Sequence, residues 1–418
     1  MEILVYIDAH NITDAPLFLG TLITENIRGK EVFSFRASKE WLSNKSMTFL
    51  DADLKPFIGN QYAPQAKSNF GLFLDSCPDR WGRVLMQRRE RLRAKDENRV
   101  ARHLHQSDYL LGVYDESRMG ALRFKLSADG EFLDNDPKLA TPPITSIRAL
   151  EQASLNYERT EAENSDEYRK WLQMLYMPGS SLGGARPKAN VIDENGNMWI
   201  AKFPSRLDNI DVGAWEYIVT LMARDFGLEV PDVRAERFSS RHHTFLSKRF
   251  DRNGVKRLHF ASAMTLLGYA DGNDAEDGVS YLEMVEFLRR FGTTNLQSDL
   301  RELWKRIAFN IAIANCDDHL RNHGFILTPK GWTLSPVYDL TPNPHGMALK
   351  LNITDADNSL NFELLLETAP FYGLEQNEAK TLLNSLSSIT RRWRSYTTTL
   401  SLSQDEHEHM APSFKFYQ

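Results

Sequence analysis

The sequence is poor in cysteine and has no long uninterrupted run of apolar residues. Its two cysteines, Cys77 and Cys316, lie far apart in a chain of 418 residues. Such a pair gives no disulfide framework, which indicates a reducing compartment. No apolar run is long enough to cross a bilayer, and no signal peptide is recognisable. The sequence therefore predicts a cytoplasmic protein.

Long blocks of one charge sign are also missing, except for one basic stretch. The formal net charge is -6, from 50 Lys and Arg against 56 Asp and Glu, which argues against strong unaided binding to nucleic acid. The basic stretch, residues 80–102, is a predicted helix that Glu90, Asp96 and Glu97 dilute. A solvated helix face is a commoner explanation for such a pattern than a nucleic-acid contact.

The length of 418 residues suits two or three domains. Residues 1–130 begin with an alternating strand, residues 145–255 combine hairpins with a helix, and residues 256–400 are rich in amphipathic helical patterns. Residues 127–143 are rich in Asp and Pro and are predicted to be a linker. The tail after Leu400 is polar, and we expect it to be frayed.

The most informative pattern is a polar loop between two apolar stretches. Residues 315–324 read NCDDHLRNHG, and Asp339 follows after a predicted hairpin. In protein kinases an Asp accepts the proton of the substrate hydroxyl, an Asn five positions later holds magnesium, and a second Asp after a hairpin also holds magnesium. Asp317, Asn322 and Asp339 have this order. The pattern predicts a site for phosphoryl transfer from ATP with Mg²⁺.

Other interpretations of the loop remain open from these residues alone. Asp, Asn and His commonly cap helices and form turns. His319 and His323 are four apart and would share a helix face as zinc ligands do, but no Glu follows His319 and Gly324 favours a helix end. Asp318 competes with Asp317 for the role of the base.

Further kinase-like parts precede the loop. Residues 181–188 read SLGGARPK, a small-residue segment that is either a plain turn or a loop whose amides approach phosphate oxygens. Lys202 is the only charge in the second strand of a predicted hairpin, where it either lies at a sheet edge or binds phosphate. Glu216 lies beside the apolar stripe of the next predicted helix, residues 212–227, as a partner for Lys202 or as a surface charge.

Taken together, these residues resemble the HipA family of bacterial serine/threonine kinases, the toxin halves of HipBA toxin–antitoxin pairs. The resemblance implies an α+β fold, two-lobed and protein-kinase-like, with an additional N-terminal α+β subdomain. Residues 145–255 would form the kinase N-lobe with its Gly-rich loop, and residues 256–400 the helical C-lobe. The similar stretches follow the family order and comprise residues 70–83, 108–114, 119–124, 181–188, 200–204, 227–231, 246–252, 315–324 and 337–342.

The resemblance also implies roles for single residues. Asp317 is the catalytic Asp, Lys202 contacts the nucleotide phosphates, and Ser181 is autophosphorylated, which silences the kinase. A phosphoserine brings about two negative charges, which repel ATP phosphates unless the loop moves. At Arg186 and Pro187 the chain departs from the Gln-Glu pair of the best-known member. The other residues expected to contact ATP or Mg²⁺ are Gly183, Gly184, Ala185, Glu216, His319, Asn322 and Asp339.

Finally, the resemblance implies a growth-inhibiting toxin whose relatives phosphorylate aminoacyl-tRNA synthetases, and a small helix-turn-helix antitoxin that binds operator DNA. Two other functions stay compatible with the sequence. One is a corepressor subunit with weak or no catalysis, held on DNA through such a partner, and the other is a small-molecule kinase on the same scaffold. The intact set of Lys202, Asp317, Asn322 and Asp339 argues against an inactive kinase.

Overall fold

The computed structural model of the chain describes residues 1–44, 47, 49–158, 166–176 and 186–417. Helices and strands both contribute, as the predicted α+β class requires. The chain forms two compact units, one from Met1–Asp208 with Glu236–Ala261 and one from Asn209–Ala235 with Ser262–Gln418. The finer division at residues 130, 145 and 255 stays a prediction.

The first unit is built around an antiparallel sheet whose described strands run in the order β4-β3-β2-β1-β5. These strands are β1 (Glu2–Ile7), β2 (Leu17–Ile27), β3 (Lys30–Ala37), β4 (Asn60–Tyr62) and β5 (Leu122–Lys125). Ile3, Val5 and Ile7 are fully buried, which confirms the predicted alternation. Successive side chains of a strand point to opposite faces, so these three meet the core together.

The first unit also contains helices, and the longest of those described is the predicted basic helix. The helices described here are α1 (Lys39–Ser43), α2 (Gly71–Leu74), α3 (Arg80–Asp96), α4 (Gln106–Leu111), α5 (Ile147–Tyr157) and α6 (Asp166–Tyr176). Several cations of the basic stretch make contacts inside the unit. The guanidinium of Arg83 lies over the ring of Tyr109 at 4.5 Å, and that of Arg88 lies over Tyr157 at 4.6 Å. These contacts favour a structural role for the stretch.

Lys202 lies in a second sheet, which is formed by some of the strands between residues 186 and 262. The strands between residues 186 and 262 are β6 (Lys188–Ile192), β7 (Met198–Lys202), β8 (Val233–Glu236), β9 (Thr244–Lys248), β10 (Arg252–Asn253), β11 (Lys256–Arg257) and β12 (Phe260–Ser262). β7 pairs with β6 on one side and with β9 on the other. Lys202 therefore does not lie at a sheet edge, which removes that interpretation.

The predicted linker, residues 127–143, has little regular structure but is held to the first unit. The Leu133 N–H donates to the Phe124 carbonyl at 2.9 Å, and the Asp134 N–H donates to the Val113 carbonyl at 3.1 Å. Leu139 is buried. The stretch is therefore a packed connection, because its few apolar and backbone groups find partners that its composition does not reveal.

The second unit is mainly helical and contains one hairpin. Its elements are α7 (Val212–Asp225), α8 (Ala263–Leu267), α9 (Tyr281–Phe291), α10 (Leu296–Ala312), β13 (Gly324–Thr328), β14 (Gly331–Leu334), α11 (Phe362–Thr368), α12 (Gln376–Thr390) and α13 (Gln404–Met410). Gly227 follows α7 with φ of 77°, which confirms the predicted C-terminal cap. No described helix combines the length and apolar character needed to cross a membrane.

The expectation of a frayed tail after Leu400 is wrong. Met410 is fully buried and Phe414 is 5% exposed. The Phe414 ring stacks on Trp393 with 4.7 Å between centroids and an interplanar angle of 12°. Two apolar side chains are enough to dock a polar segment when aromatic partners from elsewhere in the chain receive them.

We expect Phe414→Ala to lower the free energy of unfolding by about 3–5 kcal/mol, because the change removes a buried ring and leaves a cavity. Urea denaturation followed by tryptophan fluorescence measures this change. Phe416→Ala is the matched control, since Phe416 is 37% exposed and should cost less than about 1 kcal/mol. Equal effects of the two substitutions would contradict the docked tail.

Candidate active site

The polar loop begins where α10 ends. Ala314 has φ of 49°, the left-handed region that ends a helix sharply. The next residue is tied back to the helix, because the Asn315 N–H donates to the Asn310 carbonyl at 2.9 Å. The Nδ2 group of Asn315 also donates to Asn310 Oδ1 at 3.0 Å. The start of the loop is thus fixed by backbone and side-chain bonds.

Asp318 anchors the middle of the loop from within. Its side chain is buried, and its Oδ2 accepts hydrogen bonds from the Tyr281 hydroxyl at 2.6 Å and from Asn310 Nδ2 at 2.6 Å. His323 Nε2 faces the same oxygen at 2.9 Å. Burial alone would raise the pKa of Asp318, but the charge and hydrogen bond of His323, with the Tyr281 hydroxyl, hold that pKa below its ordinary value. The same negative charge adds to burial in raising the pKa of Tyr281.

Asp317 has the opposite environment, although it is the neighbouring residue. It is exposed, and its backbone carbonyl accepts hydrogen bonds from the His319 N–H at 2.9 Å and from Asn322 Nδ2 at 2.8 Å. The backbone position of Asp317 is therefore fixed while its carboxylate faces solvent. Because Asp318 is occupied by three donors, the structure favours Asp317 over Asp318 as a group that can take a proton from a substrate.

Asn322 is the residue that the sequence predicts as a magnesium ligand. It is buried, and its Nδ2 group donates a hydrogen bond to the Asp317 carbonyl. The amide oxygen Oδ1 is the remaining ligand atom, and magnesium prefers oxygen ligands. The role of Asn322 as a magnesium ligand stays a prediction.

The β13–β14 hairpin separates Asn322 from Asp339 in the chain, and bonds at its open end join the residues beside them. Phe325 pairs with Leu334, and the Ser335 N–H donates to the Gly324 carbonyl at 2.9 Å. Beyond the hairpin, the Tyr338 hydroxyl donates to the Arg321 carbonyl at 2.6 Å. Asp339 itself has φ of 62°. A left-handed Asp is uncommon, and such backbone strain is typical of functional positions.

The structure does not give His319 and His323 the shared helix face that the zinc interpretation requires. His319 caps the short 3-10 helix Leu320–Asn322, and His323 follows it with extended backbone angles, φ of -105° and ψ of 106°. The two imidazoles therefore do not share one face of an α-helix. His323 is bonded to Asp318 instead, so its role is to position the loop.

The structure describes some of the remaining predicted site residues. Lys202 is half-buried on β7 in the first unit, with its ammonium 5.7 Å from the centroid of the Phe245 ring. Glu216 is buried on α7 in the second unit. Their ion pair stays a prediction. The predicted loop residues Ser181, Gly183, Gly184 and Ala185 lie outside the described residues.

Sequence reasoning missed Tyr281 and Asn310, which complete the anchor. Tyr281 opens α9, 37 residues before Asp318. Asn310 is a polar residue within the otherwise apolar end of α10. That single polar position was a usable signal, because buried amides are almost always hydrogen-bonded.

Comparisons with known proteins show which family and which fold the chain resembles. A family model described as the HipA-like C-terminal domain matches residues 180–393. The chain is 23% identical over 294 residues to the serine/threonine-protein kinase toxin HipA of Shewanella oneidensis, covering 61% of this chain and 64% of that protein. It is 27% identical over 181 residues to a putative kinase of Haemophilus influenzae, covering 38% of this chain and 52% of that protein. The chain thus spans less than two thirds of the length of either relative.

One solved structure is similar over nearly the whole chain. It contains HipA, HipB and operator DNA of a Shewanella oneidensis MR-1 toxin–antitoxin system, and the matched chain gives a TM-score of 0.66 at 18% identity. The match covers 98% of this chain and 94% of the other. At this identity the similarity establishes the fold, and it confirms the predicted α+β kinase-like class.

The contrast between the two neighbouring carboxylates gives a stability test. We expect Asp318→Ala to lower the free energy of unfolding by about 3–5 kcal/mol, because three buried donors lose their acceptor. Asp317→Ala should change it by less than about 0.5 kcal/mol, since an exposed side chain is removed. Urea denaturation at pH 7 measures both.

The pH dependence of this difference follows from the lowered pKa of Asp318. A carboxyl whose folded-state pKa lies below its unfolded value stabilises the fold above the ordinary pKa of about 4. That stabilisation is lost as pH falls through the lower, folded-state pKa. The gap between wild type and Asp318→Ala should therefore narrow in acid, and a gap that widens would contradict the assignment.

Proposed function

The chain belongs to the HipA-like C-terminal domain family, and on that premise we propose that it is an ATP- and Mg²⁺-dependent protein serine/threonine kinase. The observation that supports the proposal is the difference in exposure between two adjacent carboxylates. Asp318 is buried and anchors the loop, whereas Asp317 is exposed on a fixed backbone. A base that must meet a substrate hydroxyl needs this combination of access and rigidity.

In the proposed mechanism Asp317 orients the substrate hydroxyl and accepts its proton at a carboxylate oxygen. Asn322 Oδ1 and the carboxylate of Asp339 would hold magnesium, and both supply the oxygen ligands that this ion prefers. The bound ion would neutralise charge on the phosphates during transfer. Asp318 keeps the loop in place through Tyr281 and His323. Positioning and charge stabilisation supply most of the catalysis in such reactions.

Lys202 would contact the nucleotide phosphates. Its position on β7, between β6 and β9, gives the cation a rigid support. Glu216 is a carboxylate on α7, the helix that follows in the chain, and in protein kinases an acid on the next helix steadies the phosphate-binding lysine. We propose that Glu216 has this role toward Lys202. The amides of Gly183, Gly184 and Ala185, together with His319, would complete the nucleotide site.

Ser181 would be the site through which the kinase regulates itself. Its autophosphorylation adds about two negative charges to the loop that binds the nucleotide, so a phosphorylated loop and ATP phosphates would exclude one another. The enzyme would then be silenced by its own product.

The biological setting that we propose is a toxin–antitoxin pair. The Shewanella relative is named a kinase toxin, and the similar solved structure contains HipB and operator DNA. This chain would act as the growth-inhibiting kinase, on a protein substrate such as an aminoacyl-tRNA synthetase. A HipB-like helix-turn-helix antitoxin would neutralise it.

Phosphoryl transfer tests the catalytic assignment. Wild type incubated with labelled ATP and Mg²⁺, followed by phosphopeptide mapping, should carry label on Ser181. Asp317→Gln should lower the rate by at least about 10²-fold, because a positioned base and its charge are lost. Asp355→Asn is the matched control, since Asp355 is an exposed acid of the same unit.

Full transfer by Asp317→Gln would overturn the role of Asp317. Absence of label in phosphatase-treated wild type that still binds ATP would favour the corepressor function instead. Transfer to sugars or choline-like compounds, with none to protein, would favour a small-molecule kinase.

The route to DNA gives a second test. With a net charge of -6 and with Arg83 and Arg88 engaged on aromatic rings, we expect no shift of operator DNA by the chain alone at physiological salt. Addition of the antitoxin should produce a shifted complex. A strong shift without the antitoxin would show that this chain itself contacts DNA.

A further inference from the structure

The segment 403–417 contacts two helices of the second unit, α7, which carries Glu216, and α10, which leads into the predicted catalytic loop. At α7, the helix of Glu216, the N-cap residue is Asp211. The Asp211 N–H donates to Glu406 Oε1 at 2.6 Å, so a side chain of α13 holds the residue at which α7 begins.

The middle of the segment packs beside Glu216. Trp215 is 1% exposed, and it is the residue next to Glu216 on α7. Its ring lies 6.3 Å from the Phe414 ring and 6.4 Å from the His407 ring, measured between centroids. Phe414 and His407 therefore pack against the turn of α7 that carries Glu216.

The end of the segment holds the helix that leads into the catalytic loop. The Lys415 N–H donates to the Ala312 carbonyl at 2.7 Å, and Ala312 is the last residue of α10. The final carbonyls of a helix have no partner within it, so the segment supplies one. Asp317 follows only five residues after Ala312.

We propose that residues 403–417 form a clamp that sets the position of the Glu216 helix and of the catalytic loop together, and thereby determines the rate of phosphoryl transfer. The inference rests on the proposed kinase function. We assign its members as positioning residues that act through α7 and α10. A displacement of about 1 Å at a catalytic group costs up to ~100-fold in rate.

The α10 end is tested with Lys415→Pro, which deletes the backbone N–H that bonds to Ala312. Lys415→Gln keeps that N–H and removes only the charge, so it is the matched control. We expect kcat to fall about tenfold or more in the proline variant, with KM for protein substrate within about twofold. The glutamine variant should resemble wild type.

The α7 end is tested with Glu406→Ala, which deletes the acceptor for Asp211. Glu406→Gln keeps an acceptor oxygen and should restore the wild-type behaviour. Because Glu216 would steady Lys202, we expect the alanine variant to raise KM for ATP by about tenfold. This test stands by itself if Lys415→Pro fails to fold.

Amide hydrogen exchange separates the possible results. In the two deleting variants exchange should rise in residues 209–220 and 310–323, while the rest of the second unit keeps wild-type protection. An active wild type whose kinetics are unchanged by both deletions would overturn the clamp and leave the proposed function intact. A wild type without any transfer would overturn the proposed function, and the clamp with it.

Discussion

The candidate active site depends on the hydrogen bonds made to the buried carboxylate of Asp318. It joins the first residue of α9, the last turn of α10 and the residue before β13 through Tyr281, Asn310 and His323. A charge removed from water is costly unless donors surround it, and here three donors do so. The anchor therefore fixes the loop from inside, and this leaves its neighbour Asp317 exposed on a rigid backbone.

The first unit has a comparable buried centre. Asp251 is fully buried, and its Oδ2 accepts hydrogen bonds from Arg249 at 2.7 Å, from Arg252 at 2.6 Å and from the Gly120 N–H at 2.8 Å. Burial would raise the pKa of Asp251, but the charges of Arg249 and Arg252 outweigh it and lower that pKa to about 2. This network joins residues near 120 to residues near 250. It gives a physical reason why both stretches belong to one compact unit.

The parts of the fold that the sequence predicted well are those whose signals are local. The hairpin from β6 to β7 has a turn in which Asp193 accepts from the Asn195 and Asn197 N–H groups, and turn residues of this type are recognisable in sequence. The helix α9 coincides with its amphipathic run and begins with a capping box at Ser280. The order of Asp317, Asn322 and Asp339 was equally visible, since it needs only spacing along the chain.

The feature that was mispredicted depends on partners that are distant in sequence. The tail after Leu400 is polar in composition, yet the Phe414 ring packs on the rings of Trp393 and Trp215. The composition of the tail was described correctly, and the distant contacts changed its outcome. For His319 and His323 the local signal was sufficient, because Gly324 already argued against a helix and the structure has none there.

By itself the sequence determined the hairpin and helices that flank the site and the residues that resemble a kinase, and the family resemblance of those residues implied the class of fold. Periodicity, caps and turns are encoded within a few neighbouring residues, so these properties need no knowledge of the rest of the chain. Only the tertiary structure decided which of Asp317 and Asp318 is exposed, and whether the tail is docked. The first outcome depends on Tyr281, which lies 37 residues before Asp318. The second involves Asp211 and Glu406, which are 195 residues apart. Such groups meet only when the whole unit folds.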